Sequence, residues 1–282
     1  AEIYQAKKMT ETSLEIVDTP GLSRTHEGNA ARLALIREAG CLVLVVAAFE
    51  GSDPAVDLNT FEEDLVLADM EIVAGRIERV EQALKKPHPR QERELLLHEE
   101  DVLKVVLAAM EAGKPLRESE MTEEQLRITR TFRLLCEKPR MVIVNTADDE
   151  ARPERFAEKL PQGVPSVAIP VGLELELARM SPQDRAEFEE EMGVGGSDRD
   201  QLIHTIMDAS GQMLFLPASQ KEVRSWILPK GGAAVEAAGT IHTDLARGFI
   251  RAEVMVADDL LRLGGEREMK AQHLVRQEAK DY

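Results

Sequence analysis

At 282 residues, with 43% hydrophobic and 31% charged side chains, the chain has room for about two domains with cores of their own. Its net charge of −17 excludes a broad nucleic-acid-binding face, which needs clustered cations, and its longest apolar run, residues 41–49, is too short to span a bilayer. Cys41 in an apolar stretch and Cys136 near a helix end make no disulfide framework and point to a reducing cytosol.

Residues 14–22 read L-E-I-V-D-T-P-G-L, and Leu14, Ile16 and Val17 predict the end of a buried strand, stopped by Pro20 and Gly21. Asp18 then falls at a strand's carboxyl end, where open α/β sheets bind ligands. A D-x-x-G motif there offers an Asp to a phosphate-bound Mg2+ and the N–H of Gly21 to the terminal phosphate. A Cβ would block that approach. An ordinary turn uses the same residues. Residues 28–39 predict a helix with Leu33 and Ile36 inward, and residues 41–48 an apolar strand buried on both faces. Together these make a βαβ unit around Asp18.

The period then changes. Leu58, Phe61, Leu65, Ala68 and Ile72, then Val73, Ile77, Val80 and Leu84, predict a long amphipathic helix with a stutter near Gly75. Residues 85–89, K-K-P-H-P, break it. A second helix carries Leu96, Leu103, Leu107 and Met110 on one face and stops at Gly113, Lys114 and Pro115. The pair reads as an antiparallel hairpin, either a solvated structural arm or a partner-binding one. His88 and His98 lack companions at metal-ligand spacing and read as surface residues.

Thr122 and Gln125 form a capping box for a helix running to about Glu137. Residues 141–144 predict a buried strand ending in Asn145-Thr-Ala-Asp148. In P-loop GTPases an Asn there braces the site and an acid three residues on reads the base; the same residues serve equally as a helix N-cap. After a short strand at 167–171, backbone at Gly172 and Leu173 is placed to meet the far edge of the base. Ser181 and Pro182 open a helix that Gly193 ends, and Ser197 and Gly211 bracket another.

From Ser219 onward ten Lys/Arg balance ten Asp/Glu, so all of the −17 lies upstream (25 minus 42), and this C-terminal part suits an RNA contact better than the acidic remainder as a whole. Residues 223–228 predict a strand, 229–232 a turn, and 248–256 an alternating strand with Ile250, Ala252, Val254 and Val256 on one face. His242 reads as structural.

This order of features resembles the Obg-like ATPase (YchF) family of translation-factor-related P-loop NTPases. The resemblance rests on the D-x-x-G segment, on residues 65–71 (L-V-L-A-D-M-E), on 221–226 (K-E-V-R-S-W), and most specifically on 237–253 (A-A-G-T-I-H-T-D-L-A-R-G-F-I-R-A-E). It implies an α/β fold: a P-loop NTPase-type, mainly parallel sheet, incomplete here, with an inserted antiparallel helical hairpin and a small C-terminal α+β TGS (ubiquitin-like) domain. The expected divisions are residues 1–57 and 132–218 for the G domain, 58–131 for the hairpin and 219–282 for the TGS domain. The resemblance further implies hydrolysis of ATP or GTP with Mg2+, a cytoplasmic location without membrane contact, and association with the ribosome, through its large subunit, or with the translation machinery. RNA contact would fall to the TGS domain. Oligomeric state is left open.

Departures from the family bear on mechanism. The motif G-x-x-x-x-G-K-[ST] is absent, and no lysine precedes a Ser or Thr. The expectation is a fragment, inactive alone, with the P-loop, its lysine and switch I upstream of residue 1 and the last TGS strand downstream. Thr19 and Pro20 replace the family's x-Ala. Asp148 stands where the family has Glu, and Thr146 where GTPases have a stacking lysine, so base preference is open; the shorter Asp leaves more room for guanine's donors. Leu22 follows the D-x-x-G in place of a water-orienting Gln. His26 is one candidate for that role, a solvent-facing switch residue its other reading. The competing function is a nucleotide-inactive adaptor that docks through the helical arm and TGS domain.

Overall fold

The computed structural model describes residues 2–22, 29–49, 51–113, 116, 121–150, 152–192 and 199–282. The expectations for His26, for the helix start at Gly28, for Lys114 and Pro115, and for Gly193 and Ser197 lie outside the described residues. Two compact units divide the chain: residues 1–17 with 211–282, and residues 18–210. In chain order the elements are β1 (Met9–Thr10), α1 (Asn29–Glu38), β2 (Leu42–Ala48), α2 (Pro54–Leu84), α3 (Arg90–Glu111), α4 (Glu123–Arg130), β3 (Arg140–Thr146), α5 (Glu154–Ala157), β4 (Ser166–Ile169), α6 (Val171–Arg179), α7 (Pro182–Met192) and α8 (Arg199–Ala209). They continue with β5 (Gln212–Phe215), β6 (Val223–Arg224), β7 (Trp226–Pro229), α9 (Ala234–Ile241), α10 (Thr243–Arg247), β8 (Ala252–Val254), α11 (Ala257–Leu263), α12 (Glu266–Ala271) and β9 (Arg276–Glu278).

The larger unit is built on a parallel sheet of order β2-β3-β4. Its central strand runs Met141-Val-Ile-Val144 with every residue buried, as a strand covered on both faces requires. Among the described residues β2 lies at one edge of this sheet, and the prediction of burial on both faces fails there: Val45 is 62% exposed.

Asp53 caps α2 by accepting from the Ala55 N–H (2.9 Å), and Pro54 occupies its first turn. Leu58 joins a core with Val142 and Val144, and Leu65 one with Ile36 and Leu42. Farther along, Val73 and Ile77 meet Val102, Leu103, Val106 and Met110 of α3. Gly75 leaves α2 unbroken. The buried residues follow 65, 69, 73 and 77, so the charged Asp69 lies inside the stripe.

α4 has the predicted capping box, with Thr122 Oγ1 accepting from Gln125 N–H and Gln125 Oε1 accepting from Thr122 N–H. It ends at Arg130, well before Glu137. Downstream backbone is taken by side chains instead: Arg37 Nη1 donates to the carbonyls of Phe132 (3.2 Å) and Arg133 (2.8 Å), and Asp69 Oδ2 accepts from Cys136 N–H (2.9 Å). Groups bonded sideways cannot close helical turns.

The buried strand expected at residues 14–17 does not form. Residues 11–22 lie in no strand, Ile16 and Val17 are 70% and 64% exposed, and among the described residues the segment has no ladder partner. Residues 1–17 belong instead with the C-terminal unit, where β1 runs parallel to β6 and Thr10 Oγ1 donates to Glu222 (2.7 Å). That unit starts at Gly211 rather than Ser219, because β5 pairs antiparallel with β7. The strand expected over 223–228 is two strands in different sheets, split at Ser225, which bonds Thr10 and Thr12. The alternating stretch forms only β8, antiparallel to β9; Ile250 is 78% exposed. His242 Nδ1 accepts from Asp244 N–H at the start of α10.

Candidate functional site

The carboxyl end of β3 meets the first turn of α6. In register, Asn145 lies opposite Ile169 of β4, and Pro170 then leads directly into the helix. A helix start leaves N–H groups without intrahelical partners. Asn145 Oδ1 accepts from Val171 N–H (3.0 Å) and Asp148 Oδ1 accepts from Leu173 N–H (3.0 Å), so the two polar residues of the N-T-A-D turn satisfy that helix start together. The carboxylate also complements the positive end of α6. Gly172 makes the approach possible: a Cβ there would stand 2.9 Å from Asp148 Oδ1 and 3.2 Å from Oδ2.

Neither Asn145 nor Asp148 is the N-cap of a helix that follows it in the chain: both satisfy the start of α6 from a distance, and Pro170 occupies that helix's N-cap position. Gly172 and Leu173 lie in the helix's first turn, not in a loop, and the Leu173 N–H is engaged by Asp148 rather than offered outward. Asp148 is exposed, and its Oδ2 remains to accept hydrogen bonds. Thr146, opposite Ala48, is 3% exposed and its hydroxyl has no hydrogen-bond partner among the described residues.

Asp18 and Gly21 are placed differently. Both are exposed, on backbone that belongs to no strand. The Gly21 carbonyl accepts from Arg32 Nη1 (2.8 Å) of α1. Among the described residues, no hydrogen bond joins Asp18 or Gly21 to Asn145 or Asp148. No group of three or more His, Cys, Asp or Glu side chains converges among them either. A lone carboxylate does not build a protein cage for a cation. It fits a Mg2+ that arrives on substrate phosphates and keeps most of its water.

The segment entering β3 is held by ionic groups that the sequence reading passed over. Asp69 is fully buried; its Oδ1 faces Arg37 Nη2 at 2.9 Å as an ion pair without hydrogen-bond alignment. Arg140, 7% exposed, pairs with Glu62 (3.1 Å) and donates to the Cys136 carbonyl (2.6 Å). Burial, reinforced by Asp69, pushes the Cys136 thiol and the Glu137 carboxyl up, and burial with neighbouring Arg37 and Arg133 holds Lys138 down. The signal was present: Asp69 sits four residues from both Leu65 and Val73, where the stripe wants an apolar side chain.

A parallel sheet with an Asn-x-x-Asp turn at the end of its central strand, and a long helical hairpin between two of its strands, is the architecture of a P-loop NTPase-type α/β protein. The family profile YchF-GTPase_C, described as a protein of unknown function (DUF933), matches residues 213–282. The Ribosome-binding ATPase YchF of Bacillus subtilis (strain 168) is 32% identical over 302 residues, spanning 100% of this chain and 81% of that protein. Obg-like ATPase 1 of Oryza sativa subsp. indica is 34% identical over 302 residues, spanning 100% of this chain and 75% of that protein. The solved structure of the Schizosaccharomyces pombe YchF GTPase is similar in fold, with a TM-score of 0.80 at 23% identity over 100% of this chain and 80% of that one. The chain belongs to the YchF/Obg-like ATPase family.

Proposed function

We propose that this chain serves a Mg2+-dependent nucleotide-binding and hydrolysing protein of the cytoplasm that works on the ribosome. The observation that carries the reading is the convergence of Asn145 and Asp148 on the first turn of α6, at the end of the central parallel strand where α/β sheets bind ligands. Asn145 holds the strand end against the helix. Asp148, braced by Leu173 N–H, presents Oδ2 to the amino edge of adenine or guanine, and Gly172 leaves room for both. Asp18 would hold Mg2+ through water and the Gly21 N–H would meet the terminal phosphate, with Arg32 holding the following peptide through the Gly21 carbonyl. The metal supplies neutralisation of phosphate charge when bound. The names of the Bacillus relative, a ribosome-binding ATPase, and of the rice relative support hydrolysis and ribosome association.

Equilibrium binding of ATP and GTP, with Mg2+, to the full-length protein tests this. Asp148→Asn keeps an acceptor for Leu173 N–H but replaces the second acceptor by a donor. It is expected to weaken binding of the preferred nucleotide about 10- to 100-fold, the worth of a hydrogen bond to a charged group. Tighter ATP binding assigns adenine, and tighter GTP binding assigns guanine. Failure to bind either, with ribosome co-sedimentation intact, overturns the hydrolase and leaves the adaptor.

A further inference from the structure

Residues 85–93, K-K-P-H-P-R-Q-E-R, form the apex of the hairpin, about 39 Å along α2 from Leu58 at 1.5 Å per residue. On a chain of net charge −17, this stretch carries Lys85, Lys86, Arg90 and Arg93 against Glu92 alone. The sign reverses immediately afterwards, with Glu94, Glu99, Glu100 and Asp101. All four cations are exposed. The side chain of Lys86, like that of Arg79 near the end of α2, has no hydrogen-bond or ion-pair partner among the described residues. Among the described residues Arg90 pairs with Glu94 alone, at 93% and 62% side-chain exposure, an ion pair of the kind worth little in water.

The apex is also rigid. Pro87 and Pro89 restrict its backbone, the His88 ring bonds the Ala83 carbonyl (2.9 Å), and Arg93 Nη1 donates to the Leu84 carbonyl (3.3 Å). The backbone that carries its cations is therefore restricted before any partner arrives, which lowers the ordering cost of binding. A protein partner would be met by apolar and aromatic anchors, and residues 85–93 contain no aliphatic or aromatic core-forming side chain besides the prolines and His88. Clustered cations without anchors suit a polyanion whose every repeat carries charge.

We propose that the hairpin apex is an RNA-docking surface, in which Lys85, Lys86, Arg90 and Arg93 contact backbone phosphates. The acidic flank of α3 confines binding to this tip, so RNA is engaged by the far end of the arm and not along its length. The inference deepens the ribosome-association reading and rests on it for the source of the RNA, whereas binding of naked RNA depends on the apex alone.

The test uses the full-length protein and its K85E/K86E/R90E/R93E variant, with a short RNA duplex and with purified ribosomes, titrated from about 50 to 200 mM salt. The variant is expected to bind both about 100-fold more weakly at the lower salt, with the slope of log K against log salt reduced by about 3 to 4, roughly 0.9 for each phosphate that a cation no longer neutralises. Nucleotide affinity should be unchanged and thermal melting should shift by only a few degrees, since the bonds lost, Arg93 to the Leu84 carbonyl among them, are made by exposed side chains. Equal affinity and slope in both proteins, or no RNA binding by either, overturns the proposal. Loss of ribosome binding with duplex binding intact also overturns it and assigns the apex to a ribosomal protein. Duplex binding through the apex without ribosome association upholds the apex and overturns the ribosome reading instead.

Discussion

The two polar signatures of this chain, D-T-P-G at residues 18–21 and N-T-A-D at 145–148, look alike as sequence and are unlike as structure. Each follows an apolar run and each ends in turn residues. At 145–148 the run is β3, paired on both sides and buried from Arg140 to Val144, so its terminal side chains are aimed at α6. At 18–21 the preceding Ile16 and Val17 are mostly exposed and no ladder among the described residues fixes the backbone. A strand is an agreement between neighbours. Alternating or apolar residues make it favourable, but only a partner satisfies its N–H and C=O groups.

The sharpest way to break the contrast is to loosen what delivers β3. Arg37→Met leaves Asp69 buried without its cation and is expected to cost about 3–5 kcal/mol, read as a lowered urea midpoint. Met141→Ala empties a fully buried position in the same strand, with an expected loss of about 2–5 kcal/mol by the same measurement. Asn145→Ala strands the Val171 N–H and should cost about 1–2 kcal/mol, with faster amide exchange confined to the first turn of α6. Val17→Ala, its partner in the comparison, should change stability by less than about 0.5 kcal/mol; a larger loss would mean that residues 14–17 are paired after all.

The smallest effect concerns where residues 1–17 are anchored. Burial, helped by the hydrogen bond and charge of Glu266, pushes Tyr4 up to about 12. A phenol with a raised folded-state pKa contributes stability that is complete below about pH 10 and is lost as pH rises towards 12. An absorbance titration should therefore show one tyrosine ionising late, absent in Tyr4→Phe. Late ionisation in both proteins would detach the N-terminal segment from the C-terminal unit.

Much of the fold was legible because burial imposes periodicity. The run at 141–144, the three-and-four spacing from Leu58 to Val80 and the capping box at Thr122 each specify an element from local residues alone. The site was half legible: Asn145, Asp148 and Gly172 do converge, but the sequence offered Leu173 N–H to a ligand where the structure gives it to Asp148. The end of α4 was not legible, because the groups that stop it, Arg37 and Asp69, are far away in sequence.

By itself, then, the sequence determined which residues are apolar and at what period, hence the sheet, the hairpin and the identity of the polar turn at β3. Only the tertiary structure decided which apolar runs became strands, which residues joined which unit, and that Asp69 belongs inside. The physical reason is one of range. Propensity and pattern act over a few residues, whereas ladder pairing and the satisfaction of a buried charge depend on groups that only the folded chain brings together.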